Sequence, residues 1–182
     1  VIIHNNPTYP QQAPYNPIYP PQSGSYYPPQ PMQGSYPPLP YGTGAQRPPQ
    51  VQWYYIKSMH SGLVLDIQGA KKGASIITYE MLGGDNQLWT LNGNEIVSKS
   101  GFALDVQGGN TDSGTNAIAW DHSPGAANQQ WRIEGDKIIS TLTGMALDIS
   151  GGSTDQGVEI ILYPAAHGEI NNQSWQLVLF EG

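Results

Sequence analysis

Asp66, Asp105 and Asp148 each stand in a copy of one block: Gly62-Leu-Val-Leu-Asp66-Ile-Gln-Gly69, Gly101-Phe-Ala-Leu-Asp105-Val-Gln-Gly108 and Gly144-Met-Ala-Leu-Asp148-Ile-Ser-Gly151. Downstream of each lies an Asn-Gln-x-Trp segment, Asn86-Gln87-Leu-Trp89, Asn128-Gln129-Gln-Trp131 and Asn172-Gln173-Ser-Trp175, with the tryptophans 42 and 44 residues apart. Carboxylates accept hydrogen bonds and primary amides both donate and accept, so the pairing suits a partner rich in hydroxyl groups. The same aspartates are the only recurring candidates for a general acid and base, and catalysis is not the expectation. His4, His60, His122 and His167 form no His-Glu-x-x-His and no paired ligand spacing, and there is no nucleophile elbow. Asn110-Thr-Asp112-Ser-Gly114 hints at calcium, but the loop pattern is incomplete and a polar turn accounts for it. With no cysteine there is no disulfide, thiolate site or cysteine nucleophile, and neither a metal nor a cofactor is expected.

The elements that must position these groups follow from a third register upstream, Ile56-Lys-Ser58, Ile96-Val-Ser98 and Ile138-Ile-Ser140. Three registers in agreement mean a triplication. Each unit holds about four short runs of Val, Ile, Leu, Tyr and Trp, parted by polar clusters such as Gly83-Gly-Asp-Asn86, Gly108-Gly-Asn-Thr-Asp112 and Gly151-Gly-Ser-Thr-Asp155. No segment sustains a 3.6-residue period, so the spacing predicts an all-β chain of about twelve strands. A unit of this size buries too little surface alone, so the three must close on a shared core. Leu65, Leu104 and Leu147, with Ile67, Val106 and Ile149, flank the aspartates at alternate positions and should face inward, together with Trp89, Trp131 and Trp175.

The repeats occupy residues 51–182, and the segment before them is of another kind. Residues 1–50 hold 14 of the 16 prolines and 7 of the 11 tyrosines but one charged residue, Arg47. Tyr9-Pro10, Tyr19-Pro20, Tyr27-Pro28 and Tyr36-Pro37 punctuate it at near-regular intervals. Such a composition cannot offset chain entropy by burial, so a disordered tail with polyproline II character is expected. Regularly spaced tyrosines can stack on one another or on a partner, and the lack of charge removes repulsion, which makes self-association through residues 1–50 its functional reading. The repeats carry all 14 acidic residues against six basic ones, a net charge of −8. An acidic domain without clustered Lys or Arg is a poor partner for nucleic acid or an anionic membrane, and no apolar run is long enough to span a bilayer.

Three Gln-x-Trp tripeptides in register with three Leu-Asp-hydrophobic blocks resemble the ricin B-type lectin family, over roughly residues 53–180. The opening Trp53-Tyr-Tyr-Ile-Lys-Ser is most similar to its cysteine-free, fungal-like members. The resemblance implies a β-trefoil of pseudo-threefold symmetry and sugar-binding sites made of the block Asp, an aromatic in the following strand and the Asn before Gln-x-Trp. It therefore implies three sets: Asp66, Gly69, Tyr79 and Asn86; Asp105, Gly108, Trp120 and Asn128; Asp148, Gly151, Tyr163 and Asn172. In each, carboxylate and amides would meet vicinal hydroxyls while the ring covers the apolar C–H face of a sugar. Trp120 has the largest face, which puts the second set first. Gln87, Gln129 and Gln173 read as mainly structural, holding the Asp and its turn. His122 and His167 follow the aromatics where a loop could cover a sugar.

Some galactose-binding members carry Gln two residues before the aromatic, where this chain has Ile77, Ile118 and Ile161, so the resemblance does not fix the sugar. Asn172-Gln-Ser174 is also a glycosylation sequon, and a glycan there would block the third set, which favours a cytosolic or unconventionally exported protein over classical secretion. The expectation is a non-enzymatic lectin that cross-links glycoprotein, glycolipid or polysaccharide glycans. The alternative is a structural assembly protein with the trefoil as building block and the Tyr/Pro segment as connector.

Overall fold

Short apolar runs broken by glycine turns can bury their side chains by curling the strands into a barrel and folding the hairpins between them across its end. In the computed structural model, which describes residues 51–166, Gly168 and residues 171–181, they do this three times over. The expectations attached to residues 1–50 and to His167 lie outside the described residues.

The first unit supplies β1 (Tyr54–Ser58), β2 (Val64–Ile67), β3 (Ile76–Tyr79) and β4 (Trp89–Asn92). The second supplies β5 (Glu95–Ser98), β6 (Phe102–Val106), β7 (Ala117–Asp121) and β8 (Trp131–Glu134). The third supplies β9 (Lys137–Ser140), β10 (Ala146–Ile149), β11 (Ile160–Tyr163) and β12 (Trp175–Leu179). The outer strands of each unit build the barrel. β4 pairs with β5, β8 with β9, and β12 with β1 over five residues from Tyr54–Leu179 to Ser58–Trp175. Within each unit the tryptophan backbone ties the fourth strand to the first: Trp89 pairs with Tyr54, and the N–H groups of Trp131 and Trp175 donate to the carbonyls of Asn94 and Asp136, just before β5 and β9, at 2.7 and 2.8 Å. The inner strands form three antiparallel hairpins, β2–β3, β6–β7 and β10–β11, joined by the bridges Ser75–Ile118, Ile77–Glu159 and Asn116–Ile161. Six barrel strands under a cap of three hairpins make a β-trefoil, and the twelve strands match the expected number.

Leu65, Leu104, Leu147, Ile67, Val106 and Ile149 are fully buried in one cluster with Ile56, Ile96, Ile138 and the three tryptophans of the repeated tripeptides. Each tryptophan also donates its indole N–H to the carbonyl of the block leucine of its own unit, at 3.3, 2.9 and 3.1 Å for Leu65, Leu104 and Leu147. That bond explains why tryptophan stands there: it fills the barrel and satisfies a buried carbonyl at once.

Candidate functional site

In each hairpin the block Asp sits directly across from an isoleucine, Asp66 from Ile77, Asp105 from Ile118 and Asp148 from Ile161. The aromatic lies two residues further along the same face of the partner strand, as Tyr79, Trp120 and Tyr163. The isoleucines, which also touch the neighbouring hairpin, are buried beneath the carboxylates. A chain reversal follows each Asp-bearing strand as a short 3-10 turn, in which Gly69, Gly108 and Gly151 take φ of +68°, +64° and +66°. Only glycine adopts that conformation freely. The turn places the glycine two residues beyond the strand that presents the carboxylate.

The Asn-Gln pair then returns to the carboxylate. Asn86 and Gln87 both donate their side-chain amides to Asp66 Oδ2 at 2.9 Å. Asn128 donates to both Asp105 oxygens, at 2.9 and 2.8 Å, and Gln129 to Oδ2 at 2.8 Å. At Asp148, Asn172 donates to Oδ1 and Gln173 to Oδ2, each at 2.8 Å. An ionised carboxylate offers about four acceptor positions, so each retains acceptor capacity beyond these bonds. The glutamines use both of their amide donors. Each donates its second N–H to a carbonyl just past the aromatic (Glu80, Asp121 or Pro164). Each also accepts, through Oε1, from the following loop: from Leu82 and Gly83, from Ser123, and from Ala166.

The carboxylates themselves are nearly withdrawn from water, at 7, 2 and 5% exposure for Asp66, Asp105 and Asp148. Burial raises the pKa of all three above the ordinary carboxylate value, opposed by the Gln and Asn bonds, and pushes Asp105 up to about 6. A shielded carboxylate with preset amide neighbours can accept hydroxyl donors without competition from bulk water.

The aromatics differ in what covers them. The Lys72 ammonium, from the first unit, lies over the Trp120 ring 4.5 Å from its centroid and bonds Asp121. The largest ring therefore already has a cation on one face, whereas Tyr163 is 48% exposed. His122 is engaged elsewhere, with Nε2 2.7 Å from Glu95 Oε2. The Asn172 amide is half-buried and spent on Asp148 and the Ile149 carbonyl, which makes the sequon a poor glycan acceptor. No group of three or more His, Cys, Asp or Glu side chains among the described residues could hold a metal ion.

One set of groups was not legible in the sequence. Tyr55, Glu95 and Lys137, each just before the aligned isoleucine of its unit, reach the loop that carries that unit's Asn. They escape a repeat search because one position holds a phenol, a carboxylate and an ammonium.

A family model described as the ricin-type beta-trefoil lectin domain matches residues 52–175. No curated protein matches the chain. Among solved structures it is similar to ThreeFoil, a designed 3-fold symmetric protein, at 39% identity and TM-score 0.63 over 69% of this chain and 97% of that one. It is similar to 1,3Gal43A, an exo-beta-1,3-galactanase from Clostridium thermocellum, at 32% identity and TM-score 0.64, covering 72% of this chain but 31% of the enzyme. It is also similar to the C-half of the earthworm R-type lectin, solved in complex with GalNAc, at 28% identity and TM-score 0.59 over 71% of this chain and 99% of that one.

Proposed function

The chain belongs to the ricin-type β-trefoil lectin family and is a carbohydrate-binding module, and we propose that it binds through three sites, centred on Asp66, Asp105 and Asp148, without catalysing a reaction. The observation that carries this reading is the threefold recurrence of one constellation: a shielded carboxylate braced by Asn and Gln, on the same hairpin face as Tyr79, Trp120 or Tyr163. The ligand class is a pyranose with vicinal hydroxyls on one side and an apolar C–H face on the other. N-acetylgalactosamine and galactose are the first sugars to test, because an earthworm relative is solved with GalNAc. The enzyme among the similar structures is three times longer than the matched region, and its activity does not transfer to a module of this size.

The test residues are the aromatics. Removing an Asp would strand two buried amides at about 1–3 kcal/mol each and loosen the loop, so lost binding would be ambiguous. A glycan array on the full chain should give saturable binding that the triple variant Tyr79→Ala, Trp120→Ala, Tyr163→Ala abolishes while keeping the parent circular dichroism. No glycan bound by a folded parent would overturn the proposal.

A further inference from the structure

Glu95 opens β5 at the barrel, and it is 7% exposed. Its Oε1 accepts from the Gly125 backbone at 2.8 Å and from the Gln130 amide at 3.0 Å, while Oε2 meets His122 Nε2 at 2.7 Å. All three partners belong to the loop between Trp120 and Trp131, and two of them, Gly125 and Gln130, flank Asn128, the amide that faces Asp105. Within the loop, Ala126 N–H bonds the Ser123 carbonyl and Gln129 N–H the Ala126 carbonyl, while the Gln129 side chain spans the loop to Ser123 and Asp121. Glu95 ties Gly125 and Gln130, on either side of Asn128, to the barrel, beside the Thr141 N–H that bonds the Gln130 carbonyl.

The equivalent position in the third unit holds Lys137. Its Nζ donates to Ser174 Oγ at 3.0 Å and bonds Asp136. Ser174 Oγ in turn accepts from the Asn171 backbone at 3.0 Å, so Asn171 and Ser174 bracket Asn172. In the first unit the position is Tyr55, which packs against the loop: a Cβ placed at Gly83 would lie 3.4 Å from the Tyr55 hydroxyl. One place in the repeat thus meets the Asn-bearing loop with a carboxylate, an ammonium and a phenol in turn. None of these three residues belongs to a set proposed to touch sugar.

Resting on the proposed sugar-binding reading, we propose that Tyr55, Glu95 and Lys137 are the positioning residues of the three sites, each setting the Asn of its own unit, so that the sites are independently adjustable and unequal in affinity. The dependence is local. A change at Glu95 reaches Asn128 through the loop, and a change at Lys137 reaches Asn172, with no shared partner.

The experiment uses the full chain in two single-site forms. Tyr79→Ala with Tyr163→Ala leaves the second site, and Tyr79→Ala with Trp120→Ala leaves the third. Titration with N-acetylgalactosamine and galactose, followed by two-dimensional NMR, reads each alone. In the first form Glu95→Gln, which keeps an acceptor for Gly125, should weaken binding about threefold and Glu95→Leu tenfold or more, whereas Lys137→Met should leave it unchanged. In the second form the pattern should reverse. Hydrogen exchange identifies the cause: residues 122–130 should exchange faster only in the Glu95 variants, and residues 171–174 only in Lys137→Met. Equal losses in both forms from either substitution would mean global softening and overturn the proposal, as would unchanged binding in both. A parent chain that binds neither sugar would instead overturn the reading of the sites, and the positioning role with it.

Discussion

A carboxylate almost withdrawn from water is unstable as an anion, and the three block aspartates remain useful only because amides meet them. For Asp105 the folded chain takes up a proton at about 6, against 3.8 for an unperturbed aspartate. Between those values the folded state holds more proton than the unfolded one, so this group's contribution to stability is greatest below about pH 4 and is lost as pH rises to about 6. Asp66 and Asp148 shift in the same direction. Urea midpoints of the parent and Asp105→Asn should therefore diverge in the variant's favour as pH rises from 4 to 6 and run parallel above. Sugar binding at the second site has the opposite sign, since a protonated carboxyl loses acceptor capacity, and it should weaken on acidification through about pH 6. The glutamine and the aromatic separate in another assay. Gln129→Ala removes a bond to a buried carboxylate, one to a carbonyl and the acceptor for Ser123, and should cost roughly 2–4 kcal/mol in urea unfolding. Tyr163→Ala removes an exposed ring and should cost under about 1 kcal/mol while abolishing binding at the third site. The aspartates, amides and aromatics were legible in the sequence because one chemistry recurs at one register. The cation on Trp120 was not, because Lys72 comes from another unit and has no counterpart at the same place in the other repeats.

At the scale of elements, the strands were readable from apolar runs, but their alternation was muted. All four residues of β2 and of β10 are buried, since one face meets the common core and the other is covered by the Asn-bearing loop. The 3-10 turns after β2, β6 and β10 were not read from sequence, where Gln-Gly and Ser-Gly signal a turn without its type. They need two consecutive left-handed residues, supplied as Gly108-Gly109 and Gly151-Gly152 in the later units. The first unit has Gly69 followed by Ala70 at φ +49°, the only described non-glycine residue with positive φ. A left-handed residue with a Cβ costs about 1–2 kcal/mol. Glycine's extra freedom in the unfolded chain returns about 0.4–1 kcal/mol of that. Ala70→Gly should accordingly stabilise the domain by roughly 0.5–1 kcal/mol, read as a higher urea midpoint at unchanged slope. An unchanged or lower midpoint would mean that the turn is not strained at Ala70.

Over the whole molecule, the triplication repeats the proposed site three times, and the shared core carries all three copies on one body. A shallow sugar site of this kind binds near the millimolar end, about −4 kcal/mol. Rigidly held sites engaging one dense glycan surface raise the apparent affinity by roughly 10² to 10⁴ without any new contact. Removing the aromatics one by one should therefore leave the affinity of each remaining site for free sugar untouched while retention on a glycan-coated surface falls in steps of tenfold or more. If retention instead falls in proportion to the number of sites, the sites do not engage the surface together. Residues 1–50 enter at this scale alone. Their Tyr-Pro spacing was legible, and self-association through them remains our proposal for their role. Comparing the full chain with residues 51–182 tests it. Affinity for free sugar should be equal in both, whereas agglutination of glycan-coated particles should be weaker for the shorter chain. Equal agglutination would remove the tail from the cross-linking activity, because the sites of the trefoil alone would then account for it.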